Sequence, residues 1–238
     1  MSSPQVVVVD DEDTLVDRVA QDIAERLSRP GLHHLVLTGG GVGTRILAQL
    51  AVVGRQVDWS RVHLWWGDER FLPGGDPDRN ETGARNALID HVAIPEANVH
   101  PMPSDEGQGV DQAAADYADE LARYSHDGFA PPFGLLLLGM GPEGHIASLF
   151  PHTSALHAAT STVPISDSPK SPPTRVSLTL AAIRSAEDVW IGATGGAKAE
   201  AAALAARPDT PVDELPAAGA RGRHSTVLWL DRDAASRL

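Results

Sequence analysis

Leu135–Leu138 is a run of four consecutive leucines closed by Gly139. Successive strand residues point to opposite faces, so as a strand this run has no face to give to water. It must be covered on both sides, as the central strands of parallel sheets are. Val6–Val9, Leu35–Leu37, Val62–Trp66, Arg175–Leu180, Val189–Ala193 and Thr226–Leu230 read as further strands. Between them lie helical patterns. Leu15, Val19, Ile23 and Leu27 recur at spacing four and stop at Pro30-Gly31, and Ile46, Leu47 and Leu50 form a second apolar face. Glu81–Val92, Val110–Tyr124, Ala197–Ala206 and a short segment from near His145 complete the predicted helices. Gly67 to Asn80 and the proline-rich stretch 164–173 read as loops. Strands alternating with helices predict an α/β fold, a doubly wound, mostly parallel sheet with helices on both faces. No internal repeat or linker divides the chain, so one domain over 1–238 is expected.

In open α/β sheets ligands bind beyond the carboxyl ends of the strands. Here four such ends carry glycine: Thr38-Gly39-Gly40-Gly41-Val42-Gly43-Thr44, Gly67-Asp68-Glu69-Arg70, Gly139-Met140-Gly141-Pro142-Glu143-Gly144-His145 and Thr194-Gly195-Gly196-Ala197-Lys198. Three of the four add an ionisable residue. That convergence is more informative than any one motif.

The net charge narrows the partners. With 19 Lys plus Arg against 32 Asp plus Glu, the chain carries −13. Nucleic acids and anionic membranes are bound by clustered cations, which are scarce and dispersed here. Cysteine is absent, which removes disulfides, thiolate metal sites and a thiol nucleophile, and suits a reducing compartment. Met1 to Asp10 lacks the pattern of a secretory leader, and no apolar run approaches the ~18 residues of a membrane span. A soluble, cytoplasmic protein is expected.

The first glycine loop either is a tight turn or lets backbone N–H groups meet an anion at a helix N-terminus. It is not a P-loop, since no Gly-Lys-Ser/Thr occurs after it. Gly139-x-Gly141-x-x-Gly144 matches the dinucleotide pattern, but a proline-rich loop stands where the acidic strand end belongs. His145, with Glu143 two positions before it, has the makings of a general base and its orienting carboxylate. Arg70 is either a surface ion pair or an anion contact. Lys198 opens a predicted helix, where a cation opposes the helix dipole and hints at an anion nearby. Arg175 comes after Pro172-Pro173 at a strand start. His33-His34, His152 and His157 do not have metal-ligand spacing, and no Gly-x-Ser-x-Gly elbow occurs. Trp65-Trp66 read as core. The residues alone point to a small-anion site with a histidine base, without a metal and without a covalent nucleophile.

Gly139 through Pro151 resembles the signature of the 6-phosphogluconolactonase family. Trp66-Gly67-Asp68-Glu69-Arg70-Phe71-Leu72-Pro73, with Asn80 after it, is similar to a second family segment. Pro172 to Thr179 and Gly195-Gly196-Ala197-Lys198 are similar to two more, all in family order. The resemblance implies a Rossmann-like sheet with a small additional sheet, related to glucosamine-6-phosphate isomerase/deaminase. It implies hydrolysis of 6-phospho-D-glucono-1,5-lactone to 6-phosphogluconate in the oxidative pentose phosphate pathway, without a cofactor; the sequence does not fix the oligomeric state, and a monomer is the favoured expectation. On that resemblance the amides of Gly39, Gly40 and Gly41, with Arg175 and Lys198, hold the phosphate. His145 deprotonates the attacking water, Glu143 orients His145, Arg70 steadies the oxyanion or sugar hydroxyls, and Asp68 belongs with the substrate-binding residues. Where the family commonly has Asp-Gly-His, this chain has Glu143-Gly144-His145. Where the family's glycine loop commonly continues Ser-Thr-Pro, this one reads Gly41-Val42-Gly43, which leaves backbone N–H groups and Thr44 for the phosphate. Two other readings stand beside this one. An aminosugar-phosphate isomerase/deaminase typically continues Phe-Asn-Glu-Pro after its histidine, where this chain has Ser148-Leu149-Phe150-Pro151. A non-catalytic sugar-phosphate sensor would have no need of Glu143 and His145.

Overall fold

The structure, a computed structural model, describes residues 3–238. Met1 and Ser2, the start of the stretch read for a leader, lie outside the described residues. Six strands form one wholly parallel sheet: β1 (Gln5–Val9), β2 (His33–Leu37), β3 (Val62–Trp66), β5 (Leu135–Gly139), β8 (Asp188–Ala193) and β9 (Ser225–Asp231), in the order β1-β9-β8-β5-β2-β3. Leu135–Leu138 is buried at all four positions, so both faces of β5 are covered. Trp65 and Trp66 are core, as expected. Among the described residues no helix is long and apolar enough to cross a membrane.

The helices arise from local chemistry. In α1 (Glu12–Leu27) the Asp11 carboxylate accepts from the Thr14 N–H at 2.8 Å, and Leu15, Val19, Ile23 and Leu27 form the buried face. α2 (Gly40–Val53) starts inside the first glycine loop and buries Ile46, Leu47 and Leu50. α3 (Asn80–Ala87) is shorter than the predicted helix; a 3₁₀ turn at Ile89–His91 comes after it. α4 (Val110–Arg123) matches its prediction. The short α5 (Leu180–Ser185) takes the last residue assigned to the preceding strand, because the Thr179 hydroxyl accepts from the Ala182 N–H and begins a helix there. α6 (Ala199–Ala205) is preceded by a 3₁₀ turn at Gly196–Lys198, and the four-residue α7 (Pro216–Gly219) has no counterpart in the sequence pattern.

Two expectations are corrected. The polar loop after β3 begins as a strand, β4 (Asp68–Arg70). It pairs antiparallel with β7 (Arg175–Leu178), which pairs with β6 (Thr162–Ile165). This is the small second sheet. Asp-Glu-Arg has little strand propensity; the partner strand about a hundred residues away makes it one. β6 takes Pro164, tolerated because β6 is an edge. No helix forms at His145. Left-handed backbone at Gly144 (φ 81°) and Ala147 (φ 48°) folds the segment into successive turns.

Buried imidazoles gather beside Trp65. Its Nε1–H donates to His34 Nδ1 at 3.1 Å; His63 Nδ1 and His100 Nε2 are 2.9 Å apart, and His100 Nδ1 lies 2.9 Å from Glu120 Oε1. Burial, reinforced by neighbouring imidazoles, pushes His34 down to about 4. Burial also lowers His63, and it lowers His100 against the pull of Glu120. Above the unfolded histidine value of ~6.5 these groups are neutral in both states. Below it the unfolded chain takes up protons that the folded chain refuses, so stability falls with pH until the folded values are reached. His34 alone is expected to cost on the order of 3 kcal/mol between pH 7 and pH 4. Urea unfolding across that range checks this. A His34→Gln protein, less stable at neutral pH, is expected to lose less on acidification.

Candidate functional site

In chain order the fold runs from β2 to β3 on one side and from β5 through β8 to β9 on the other. The reversal falls between β2 and β5. These neighbours pair only at Leu35–Leu135 and Val36–Leu136 and then part, with the Gly139 N–H reaching across to the Thr38 hydroxyl at 3.1 Å. A cavity of about 390 Å³ opens there. Its lining includes Thr38–Gly43 after β2, Asp68 and Arg70 of β4, Asn80, Gly139–Pro142 after β5, His145, Lys170, Arg175, Lys198 and Glu12. A second hollow, of about 420 Å³, is lined by Ser148, Phe150 and residues of the 153–169 segment, with Asp167 as its one ionisable group among the described residues. The ionisable groups gather in the first.

The N-terminus of α2 faces this cavity. Its cap, Gly39, offers no side-chain acceptor, so among the described residues no cap bond takes up the first N–H groups at the positive end of the helix dipole. Gly39 is required by a close approach: a Cβ there would sit 1.9 Å from Asn80 Oδ1. Asn80 is held in turn, its Nδ2 donating to the Asp68 carbonyl at 2.8 Å. Glu69, to which the sequence motifs give no role, organises this wall. Buried at 1 % exposure, its carboxylate accepts from the N–H groups of Arg70, Asn80 and Glu81 and so caps α3 from outside. Burial raises its carboxyl to about 7, against Arg79 and the three N–H groups.

His145 and Glu143 meet as expected. Nδ1 of His145 lies 3.1 Å from Glu143 Oε1, and Phe150 stacks on the ring with centroids 4.5 Å apart. Gly141 leaves room for the pair, since a Cβ there would lie 2.0 Å from His145 Nδ1 and 2.6 Å from Glu143 Oε2. Burial, then the charge of Lys170, holds His145 below the ordinary imidazole range; Glu143 and Asp68 oppose them. Burial pushes the Glu143 carboxyl up, but its own backbone N–H, Lys170 and His145 outweigh that and hold it low. A neutral imidazole with Nδ1–H on a carboxylate leaves Nε2 free to accept a proton.

The cations divide into two kinds. Arg175 is buried at the centre of the small sheet and spends its donors on the carbonyls of Pro172 (2.9 Å), Lys170 (2.9 Å) and Ser171 (3.3 Å), with Nη1 3.9 Å from Asp68 Oδ2. Asp68 Oδ2 also accepts from the Ser148 hydroxyl at 2.7 Å. Arg70 donates Nη1 to the Asp78 carbonyl and keeps a buried Nε without a partner among the described residues. Lys198 is half-buried, its ammonium without a hydrogen-bond partner among the described residues, and burial lowers it against the pull of Glu12 and Asp231. Thr44 is not brought in. Gly40 already opens α2, which carries Thr44 past the first turn, and its hydroxyl faces α3 at Gly83. Lys170 is the residue sequence reasoning missed; its Nζ lies 3.1 Å from Glu143 Oε1. A signal existed, for Lys170 and Lys198 are the only lysines in the chain. Among the described residues no group of three His, Asp or Glu is placed to hold a metal ion.

The family model for glucosamine-6-phosphate isomerases/6-phosphogluconolactonase matches residues 10–229. The chain is 45% identical over 245 residues to the 6-phosphogluconolactonase of Mycobacterium tuberculosis, covering 99% of each. It is 44% identical over 249 residues to that of Streptomyces coelicolor, covering 99% of this chain and 95% of the other. The fold superposes on the crystal structure of 6-phosphogluconolactonase from Thermotoga maritima with a TM-score of 0.81 at 25% identity, over 96% of this chain and 99% of that one. With the histidine turn, the paired sheets and the cavity at the strand reversal all in place, the chain belongs to the glucosamine-6-phosphate isomerase/6-phosphogluconolactonase family.

Proposed function

We propose that this chain hydrolyses 6-phospho-D-glucono-1,5-lactone to 6-phospho-D-gluconate, the lactone-opening step of the oxidative pentose phosphate pathway. The observation that carries the reading is the His145–Glu143 pair, 3.1 Å apart, in a cavity that also holds a bare helix N-terminus and Lys198. The phosphate is bound by the N–H groups that open α2 and by Lys198. Arg175 contributes charge but acts mainly by fixing the 170–172 backbone, and Thr44 has no part. His145 Nε2 takes a proton from water as its oxygen attacks the lactone carbonyl. The oxyanion that forms is steadied by Arg70 and nearby N–H groups. As the ring C–O bond breaks, the imidazolium returns the proton to the leaving ring oxygen, which becomes a hydroxyl. Glu143 holds Nδ1–H throughout and stabilises the imidazolium. Asp68 keeps Ser148 and Arg175 in place at the edge of the site.

The unbroken alternation of strands and helices supports one domain, and the lack of cysteine fits work in the cytoplasm. Ser148-Leu149-Phe150-Pro151 after the histidine favours the lactonase over an isomerase/deaminase.

The test is an assay with freshly made 6-phosphogluconolactone, corrected for spontaneous hydrolysis. His145→Ala is expected to lower kcat by roughly 10²–10⁴; a full rate above background would overturn the base assignment. Gly141→Ala places a methyl where the pair meets. It is expected to cut kcat with KM little changed, in a protein whose circular dichroism matches the parent. Lys198→Ala removes a charge-assisted contact worth about 1.5–3 kcal/mol and is expected to raise KM by roughly 10- to 100-fold. An unchanged KM would remove Lys198 from the phosphate site.

A further inference from the structure

The chain has 19 Lys plus Arg, of which Lys170 and Lys198 are the only lysines. Both line the one cavity. Arginine spreads its charge over a rigid planar fork, whereas lysine is a compact charge with three donors on a flexible stem. Everywhere else the chain uses the fork. At two points around one cavity it uses the compact charge.

Lys170 sits astride the pair. Its Nζ is 3.1 Å from Glu143 Oε1, 3.3 Å from Glu143 Oε2 and 3.4 Å from His145 Nδ1. An ammonium only donates. It therefore bonds the carboxylate, and its charge opposes that of the ring whenever the imidazole is protonated. An exposed ion pair of this kind is ordinarily worth little, and the Lys170 side chain is 43% exposed. Its backbone is another matter. The Lys170 carbonyl accepts from Nη2 of Arg175 at 2.9 Å, the same guanidinium holds Pro172 and Ser171, and the Lys170 N–H donates to the Ser168 hydroxyl at 3.3 Å. Arg175 is 5% exposed, so a buried group fixes the point from which the ammonium reaches the pair.

We infer that Lys170 is a positioning residue of this site, holding the Glu143 carboxylate in register with His145 and keeping the imidazole unprotonated and ready to accept a proton. The inference rests on the lactonase reading for its catalytic meaning. The charged groups acting on the ring are Glu143 from its own turn, Lys170 from the proline-rich loop and Asp68 from β4; Arg70, Lys198, Arg175 and Glu12 line the same cavity. Burial and Lys170 act on His145 in the same direction, toward the neutral form.

The experiment compares wild type, Lys170→Met and Lys170→Arg, measuring kcat and KM from pH 5.5 to 8.5 and, separately, the His145 imidazole titration by NMR in the ligand-free protein. Lys170→Met is expected to move the acid limb of kcat and the imidazole titration up by about half a pH unit. The rate then falls by up to about threefold at the acid end of the range, little at pH 8, and KM stays within about threefold. Lys170→Arg restores the charge and is expected to keep the wild-type limb. A raised KM with an unmoved limb makes Lys170 a substrate contact only and overturns the inference. An unmoved titration with unchanged kinetics makes it a surface ion pair and overturns it too. Should wild type show no lactonase activity, the function fails, while the NMR titration still decides whether Lys170 sets the charge state of His145.

Discussion

Everything at this site depends on the parting of β2 and β5. Two strands that stayed paired to their ends would close the space above the sheet. Here the ladder stops at Val36–Leu136, and beyond it one side-chain bond, Gly139 N–H to the Thr38 hydroxyl, spans the gap. That gap admits the start of α2 on one side and the 139–145 turns on the other. The small sheet stands over it through β4, which leaves β3 after a single residue, Gly67. That residue is bonded on both sides: its N–H donates to the Leu37 carbonyl at 3.0 Å, and its carbonyl accepts from the Leu178 N–H at 2.8 Å. The two sheets are thereby registered to each other at the mouth of the cavity.

In a chain of net charge −13 the acids around the cavity are already engaged, which is what the proposed binding of an anion there requires. Glu12 accepts from the Thr194 hydroxyl at 2.7 Å and pairs with Arg45; Asp68 accepts from Ser148; Glu143 lies between Lys170 and His145. Each negative charge faces a donor within the wall. Among the described residues, the helix terminus, Lys198, Arg70 and His145 also line the space. The long-range field of the molecule is unfavourable to an anion, and the local one is built against it.

The central sheet is legible in the sequence because burial on both faces leaves a plain mark: Leu135–Leu138, closed by Gly139, has no face to give to water. The site is legible for a related reason, since glycine gathers where backbone or side chains approach closely, as Gly39 does under Asn80 and Gly141 does beside His145. The features that escape are non-local. Asp68-Glu69-Arg70 carries no strand pattern and takes its conformation from Arg175–Ser177. Glu69 caps a helix eleven residues on, at Asn80. Lys170 sits among prolines with no periodicity to place it, and only the buried Arg175 carries it to Glu143. Thr44 misleads because three consecutive glycines suggest a loop, whereas Gly40 and Gly41 already belong to the helix.

The pairing of β1 with β9 has a consequence for how the molecule is made. Gln5 to Val9 lie beside Val227 to Asp231, so among the described residues β1 has β9 alone as its neighbour in the sheet, with β2, β3, β5 and β8 made between them. Until β9 is made, the valines and the hydrogen-bonding edge of β1 have no strand to pair with. Contacts between such distant segments form late and slowly. The Glu12 bond to Thr194 spans 182 residues and ties α1 to the end of β8 at the cavity wall. A chain cut before β8 therefore lacks Gly192, Thr194 and Lys198, and with them one wall of the cavity.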